Sequence, residues 1–327
     1  MMMNRIPLLV VCGPTASGKT AVGVRLAREL SGEVVSADSM QIYKGLRIST
    51  AKPTKEEMGG IPHHMMDFLE PWEEYSVADY VRQAARCIED IRSRGKLPIV
   101  VGGTGLYINS LVDNITFDHI PEDHRRRREL EDLAAAMGKE HMHRMLRETD
   151  PEAAEKIHPN NVIRVIRAIE MAELSGKSGS ENRQESRKTP SPYDLCMIGL
   201  TCFDRAVLYE RINRRVDIMA QEGLAEEVRQ VMESCTPHTA FNAIGYKELM
   251  PYFRGERTFS EALEDIKQNT RHYAKRQLTW FRRDERISWI DTSENCQIDG
   301  IIKNCLNIVA KSKIMCYNEY VYKNEKR

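Results

Sequence analysis

Residues 6–12, IPLLVVC, form an unbroken apolar run that stops at Gly13, and Val22, Leu26 and Leu30 then recur at helical spacing. This pattern predicts a strand, a glycine-rich loop and a helix. A second run, EVVSAD at 33–38, ends in an aspartate, and a third, LPIVVGG at 97–103, ends in glycines. Between them, Ser76-x-x-Asp79 has the spacing of a capping box, in which side chain and backbone satisfy each other at a helix start. A fourth run, DLCMIGLTCF at 194–203, leads into helical stretches at 204–222, 224–234 and 258–283, the last behind its own box, Thr258-x-x-Glu261. Strands alternating with helices predict a parallel α/β sheet flanked by helices, whose working loops leave the carboxyl ends of the strands. Gly13–Thr20, Asp38–Gln41 and Gly102–Tyr107 then share one edge.

From about 119 to 175 the pattern changes to charged, helix-favouring sequence with no strand signal, including HRRRRELEDLAAAM and a helix start at Asp150-Pro151. Residues 175–192 are turn formers with almost no apolar side chains, which predicts a flexible loop. The expected organisation is a core in two parts, 1–118 and 191–296, interrupted by a helical insertion domain at 119–190 and followed by a tail at 297–327.

Composition narrows the class. Hydrophobic residues at 41% and charged residues at 29% are those of a soluble protein. No stretch reaches the ~18 apolar residues that cross a bilayer. The first apolar run leads straight into the glycine loop without a small-residue cleavage site, so it reads as a strand and not a signal peptide. Forty-eight basic and 48 acidic residues cancel, so a nucleic-acid surface must come from local clusters. The eight cysteines include no CxxC pair, which argues against a zinc ribbon or a disulfide framework and for reduced thiols in the cytoplasm.

Gly13-Pro14-Thr15-Ala16-Ser17-Gly18-Lys19-Thr20 fits GxxxxGK[ST] between a predicted strand and helix, the context of a P-loop NTPase-like fold. In such a loop, backbone N–H groups and the helix N-terminus surround phosphate oxygens, the lysine adds charge and the Thr20 hydroxyl can ligate Mg2+. The bland alternative is a glycine-rich turn that binds nothing. Asp38, directly after the second strand, faces whatever the loop holds; helix capping and Mg2+ ligation are its alternatives. The chain has no NKxD motif, so a regulatory GTPase is excluded. Basic clusters lie at Arg125–Arg128, at Arg164 with Arg167, and at Arg271, Lys275 and Arg282, the last three within about 40° on one helix face. Interleaved with Tyr273 and Trp280 they suit phosphates and stacked bases, whereas the alternative is solvated helix faces. His63 and His64 are adjacent and lack a third ligand, so they read as structural or substrate-positioning residues and not as a metal site.

Taken together, GPTASGKT, the block Asp38-Ser39-Met40-Gln41-Ile42-Tyr43-Lys44-Gly45-Leu46, Thr50-Ala51-Lys52-Pro53, Ile61-Pro62-His63-His64, Val101-Gly102-Gly103-Thr104-Gly105-Leu106-Tyr107, Arg164-Val165-Ile166-Arg167, Gly245-Tyr246-Lys247-Glu248 and the stretch Thr270–Trp280 resemble the tRNA dimethylallyltransferase family over about residues 6–290. The resemblance implies transfer of a dimethylallyl group from its diphosphate to N6 of adenosine 37, beside the anticodon, in tRNAs with adenosine at position 36. It implies Asp38 as general base. Gly13–Thr20 would hold the diphosphate, with Mg2+ at Thr20. Thr15, Lys19 and an arginine, Arg215 ahead of Arg211, would meet the charge that develops on the leaving group. The anticodon stem-loop would touch Asp38, Ser39, Met40, Gln41, Thr104, Arg127, Ile163, Arg164, Val165, Ile166, Arg167, Arg271, Lys275 and Arg276. The tail has Cys296, Cys305 and Cys316 with no histidine beside them, so the C-terminal zinc finger of some eukaryotic relatives is expected to be absent. A monomer is the default. The rivals are an adenylate isopentenyltransferase acting on free AMP or ADP, a small-molecule kinase, and a non-enzymatic RNA-binding protein.

Overall fold

The structure is a computed structural model and describes residues 5–117, 124–175, 181, 185–186, 189–234, 239–293 and 298–314. Most of the loop expected at 175–192, the far end of the tail, and Cys235, Cys296 and Cys316 lie outside the described residues. In chain order the elements are β1 (Ile6–Cys12), α1 (Lys19–Glu29), β2 (Gly32–Ala37), α2 (Lys55–Met58), β3 (His63–His64), α3 (Val77–Ser93), β4 (Leu97–Gly102) and α4 (Gly105–Val112). Four helices follow: α5 (His124–Met137), α6 (Lys139–Thr149), α7 (Pro151–Lys156) and α8 (Val162–Ser175). The chain then forms β5 (Tyr193–Thr201), α9 (Arg205–Gln221), α10 (Leu224–Ser234), α11 (Tyr246–Phe253), α12 (Phe259–Phe281), β6 (Ile287–Asp291) and α13 (Ile298–Ala310). It divides into two compact units, Met1–Val112 with Pro192–Arg327, and Asp113–Ser191.

In the first unit all six strands are parallel, in the order β3-β2-β4-β1-β5-β6. The continuous apolar runs follow from burial on both faces. Leu8, Val10 and Cys12 point to the side covered by Tyr80, Ala84 and Ile88 of α3 and Tyr107 and Leu111 of α4. Leu9 and Val11 point to the side covered by Val22 and Leu26 of α1 and Ile302 and Val309 of α13. Each such buried Leu, Ile or Val side chain contributes about 1.5–3 kcal/mol relative to exposure. The register pairs Cys12 with Gly102, Gly102 with Ala37, and Cys12 with Gly199. Gly13, Asp38 and Gly103 therefore leave the sheet side by side. Both predicted capping boxes form, at Ser76 and at Thr258. β3 and β6 were not expected, since the first has two residues and the second only five, at the two edges of the sheet.

At the amino end of β2, the buried Glu33 accepts from Arg94 Nη2 at 2.9 Å and lies 2.8 Å from His64 Nε2. The Arg94 guanidinium, with His64 assisting, holds the Glu33 carboxyl down at about 2, although burial opposes the shift. His64 thus belongs to a structural cluster around Glu33.

The second unit has helices and no strand among its described residues. Leu130, Met142, Leu146, Ala153, Val165, Ile166 and Ile169 form its core. Asp150 caps α7 by accepting from Ala153 N at 3.0 Å, with Pro151 in the first turn, where a missing N–H costs nothing.

Candidate active site

The loop between β1 and α1 is shaped by its glycines. At Gly13 (φ 144°) a Cβ would lie 2.1 Å from the Leu200 carbonyl oxygen, so only glycine passes β5 here. Gly18 (φ 85°) takes the left-handed conformation at the start of α1, whose N-terminus has no side-chain cap and no acidic residue in its first turn. Its first N–H groups are left for an anion. The Ser17 hydroxyl is buried without a hydrogen-bond partner. Gln277, reaching in from α12, accepts from Thr15 N and donates to Gly103 O, both at 2.9 Å, which braces the loop against the end of β4.

Lys19 donates to Pro14 O at 2.6 Å. Its stem keeps some exposure, but desolvation of the ammonium lowers its pKa to about 8; the Arg215 guanidinium acts in the same direction, and Asp38 and Cys12 oppose. Arg215 of α9, itself lowered by burial, donates from Nη1 to Thr15 Oγ1 at 3.4 Å. Lys19 and Arg215 bring two cations into one cavity, an arrangement suited to a polyanionic ligand.

Asp38 sits one residue beyond β2. Its Oδ1 accepts from Met40 N at 2.9 Å and Gln41 N at 3.3 Å, while Oδ2 makes no hydrogen bond among the described residues. Thr104 holds this turn to β4, its hydroxyl accepting from Ser39 N at 3.0 Å and its own N–H donating to Ala37 O at 3.1 Å. Thr15, Lys19, Thr20, Asp38 and Arg215 line one cavity of about 300 Å³, with Tyr273 and Arg276 of α12 on another wall. Burial and the Asp38 charge push the Tyr273 phenol up, so it remains a neutral donor. His63 also lines the cavity, its Nδ1 2.8 Å from Ile61 O, and burial lowers its pKa.

The arrangement joins a phosphate cradle to a carboxylate with one open oxygen. The family model described as IPP transferase matches residues 41–284, and one described as isopentenyl transferase matches residues 6–70. The chain belongs to the IPP transferase family. A protein of Acetivibrio thermocellus named tRNA dimethylallyltransferase is 50% identical over 299 residues, covering 91% of this chain and 95% of that one. The full-length tRNA isopentenylpyrophosphate transferase of Bacillus halodurans superposes with a TM-score of 0.71 at 43% identity, covering 99% of this chain and 100% of its own. A eukaryotic dimethylallyltransferase described as acting on tRNA superposes with a TM-score of 0.76 at 31% identity, over 92% of this chain and 77% of its own.

Within this transferase the remaining expected residues separate. Arg211 does not line the cavity: Nη2 donates to Thr292 O at 2.7 Å and Nη1 points to Cys202 Sγ at 3.1 Å, tying α9 to the ends of β5 and β6. Gln41 lines the cavity, but its side chain is engaged internally, accepting from Ser36 Oγ at 3.2 Å and donating to Thr50 O at 3.3 Å. Arg271 donates to Asn213 Oδ1 at 2.6 Å, Lys275 is exposed, and the Arg276 guanidinium lies 5.7 Å from the Tyr273 ring centre.

In the helical unit, Arg127 and Arg167 share the fully buried Glu170 carboxylate at 3.0 and 2.8 Å. Arg126 pairs with Glu173 and so ties α5 to α8, whereas Arg125 pairs with Glu129 within α5. Ile163 is 83% exposed and Arg164 is exposed, whereas Val165 (0%) and Ile166 (6%) are core. The helix face that carries Val165 and Ile166 turns inward, into the core of this unit. Neither Gln277 nor the Glu227 described below was singled out in the sequence, because an amide and a carboxylate on ordinary amphipathic helices carry no spacing signal.

Proposed function

We infer that this chain transfers the dimethylallyl group of dimethylallyl diphosphate to N6 of adenosine 37 in tRNA, releasing diphosphate. The observation that carries the reading is that the P-loop and the open oxygen of Asp38 line the same cavity. The N6 lone pair is delocalised into the purine, so the amine is a poor nucleophile until its proton has an acceptor. Asp38 Oδ2 takes that proton as the N6–C bond forms and the allylic C–O bond breaks; a positioned base of this kind contributes about 10²–10⁴-fold. Negative charge grows on the departing diphosphate, where the loop N–H groups, Thr15, Lys19 and Arg215 receive it. The orphaned Ser17 hydroxyl supplies a further donor within the loop.

Thr20 offers a hard oxygen beside the cradle, and among the described residues no three His, Cys, Asp or Glu side chains cluster as a metal site. This fits Mg2+ held by one hydroxyl and the ligand's own phosphoryl oxygens, a common arrangement for that ion. Bound there, Mg2+ would neutralise diphosphate charge.

The base must leave its stack to reach the cavity. The helical unit exposes Ile163 and Arg164, and α12 exposes Lys275 and Arg276, apolar and cationic groups that each suit contact with tRNA. We assign the enzyme to the cytoplasm as a monomer. Incubating it with dimethylallyl diphosphate and either tRNA or AMP, then weighing the nucleosides, tests the reading. Mass gained by adenosine in tRNA supports it; gain on AMP alone would make the enzyme an adenylate isopentenyltransferase, and gain on neither would overturn it.

A further inference from the structure

Glu227 of α10 is half-buried, and its carboxylate is filled by backbone donors: Oε2 accepts from Arg47 N at 2.9 Å and Ile48 N at 2.6 Å, and Oε1 from Ser49 N at 2.9 Å. Its neighbour Glu226 is exposed and, among the described residues, accepts from Gln230 Nε2 alone, the ordinary behaviour of a helix surface. Three N–H groups on one carboxylate form charge-assisted bonds that fix a loop with no regular structure of its own. That loop needs fixing, because Ala51 adopts a left-handed φ of 48°, which a non-glycine residue holds only when its surroundings impose it. From the loop the order passes inward. Thr50 O and Ala51 O accept from Gln41 Nε2 at 3.3 and 3.4 Å, and Gln41 N is one of the two donors on Asp38 Oδ1.

We propose that Glu227 is a positioning residue for Asp38, acting through the 47–51 loop and Gln41 to aim the open carboxylate oxygen into the cavity. The proposal rests on Asp38 being the base. The phosphate side is braced separately by Gln277, so the two halves of the site respond to different substitutions.

Glu227→Gln keeps size but sets an NH2 group against a backbone N–H. Its kcat for tRNA prenylation is expected to fall about 10- to 100-fold, the scale of a roughly 1 Å misplacement. Affinity for inorganic diphosphate stays within about twofold of wild type. Glu227→Asp, which keeps both acceptor oxygens on a shorter arm, recovers part of the rate. Combining Glu227→Gln with Gln41→Ala costs no more than the worse single change, because both break one relay. Independently of activity, amide exchange in Glu227→Gln should quicken at Met40 and Gln41 as well as at 47–49, with Thr15 unchanged. Wild-type kcat in Glu227→Gln, unchanged exchange at Met40 and Gln41, or diphosphate affinity falling in step with kcat would each overturn the proposal. A wild-type enzyme that fails to prenylate tRNA would instead overturn the assigned reaction, and the exchange measurement would still decide the relay.

Discussion

The side-chain oxygen of Gln277 accepts the backbone N–H of Thr15 at 2.9 Å, so a residue 262 positions downstream shapes the phosphate loop. Gln277→Leu removes this bond and the one to Gly103 O, leaving two backbone groups without partners. The expected cost is about 1–3 kcal/mol for each group left dry, visible as a lower melting temperature. Diphosphate affinity falls with it, which calorimetry reads directly.

Asp38→Ala leaves the cradle intact and removes the proton acceptor. Prenylation should drop by at least about 10²-fold while diphosphate still binds with wild-type affinity. A variant that prenylates at the normal rate would remove Asp38 from the mechanism.

Lys19 gives the site a pH signature. Unfolded, the lysine holds its proton to about 10.5; folded and without ligand, it loses it near 8. Between those values the unfolded chain binds more protons, so this group's contribution to stability rises with pH there. Diphosphate affinity moves the other way, falling as pH rises through 8, because the ligand needs the ammonium. Titrations at pH 8.5 in buffers of different ionisation heat should show proton uptake on binding, and Lys19→Met should abolish it.

Arg215 and Arg211, one helical turn apart, are expected to fail differently. Arg215→Ala removes a cation from the cavity, lowering the rate by about 10²-fold or more with little change in melting. Arg211→Ala leaves the Thr292 carbonyl without its donor and lowers the melting temperature, with a smaller effect on rate. Equal rate losses would mean that both arginines serve the diphosphate.

The sheet was legible because β1, β2, β4 and β5 are buried on both faces, and the first three run into Gly13, Asp38 and Gly103. The P-loop was legible for the same reason: its glycines answer to local backbone geometry. What sequence could not supply was direction on helices. The bond from Arg127 to the buried Glu170, 43 residues away, could not be read from spacing. Val165 and Ile166 sit beside exposed Ile163 and Arg164, and only the packing of α8 decides which turn inward. β6 escaped because a five-residue edge strand is too short for its pattern to stand out.

The two ends of β2 carry carboxylates with opposite duties. Glu33, moored by Arg94 and His64, contributes its full stability above its ordinary 4.5 and gives it up progressively as the pH falls from there through about 2. The strand that delivers Asp38 thus stays anchored in mild acid, and a transferase silenced at pH 5 would be reporting on the groups around its substrates rather than on a frame coming loose.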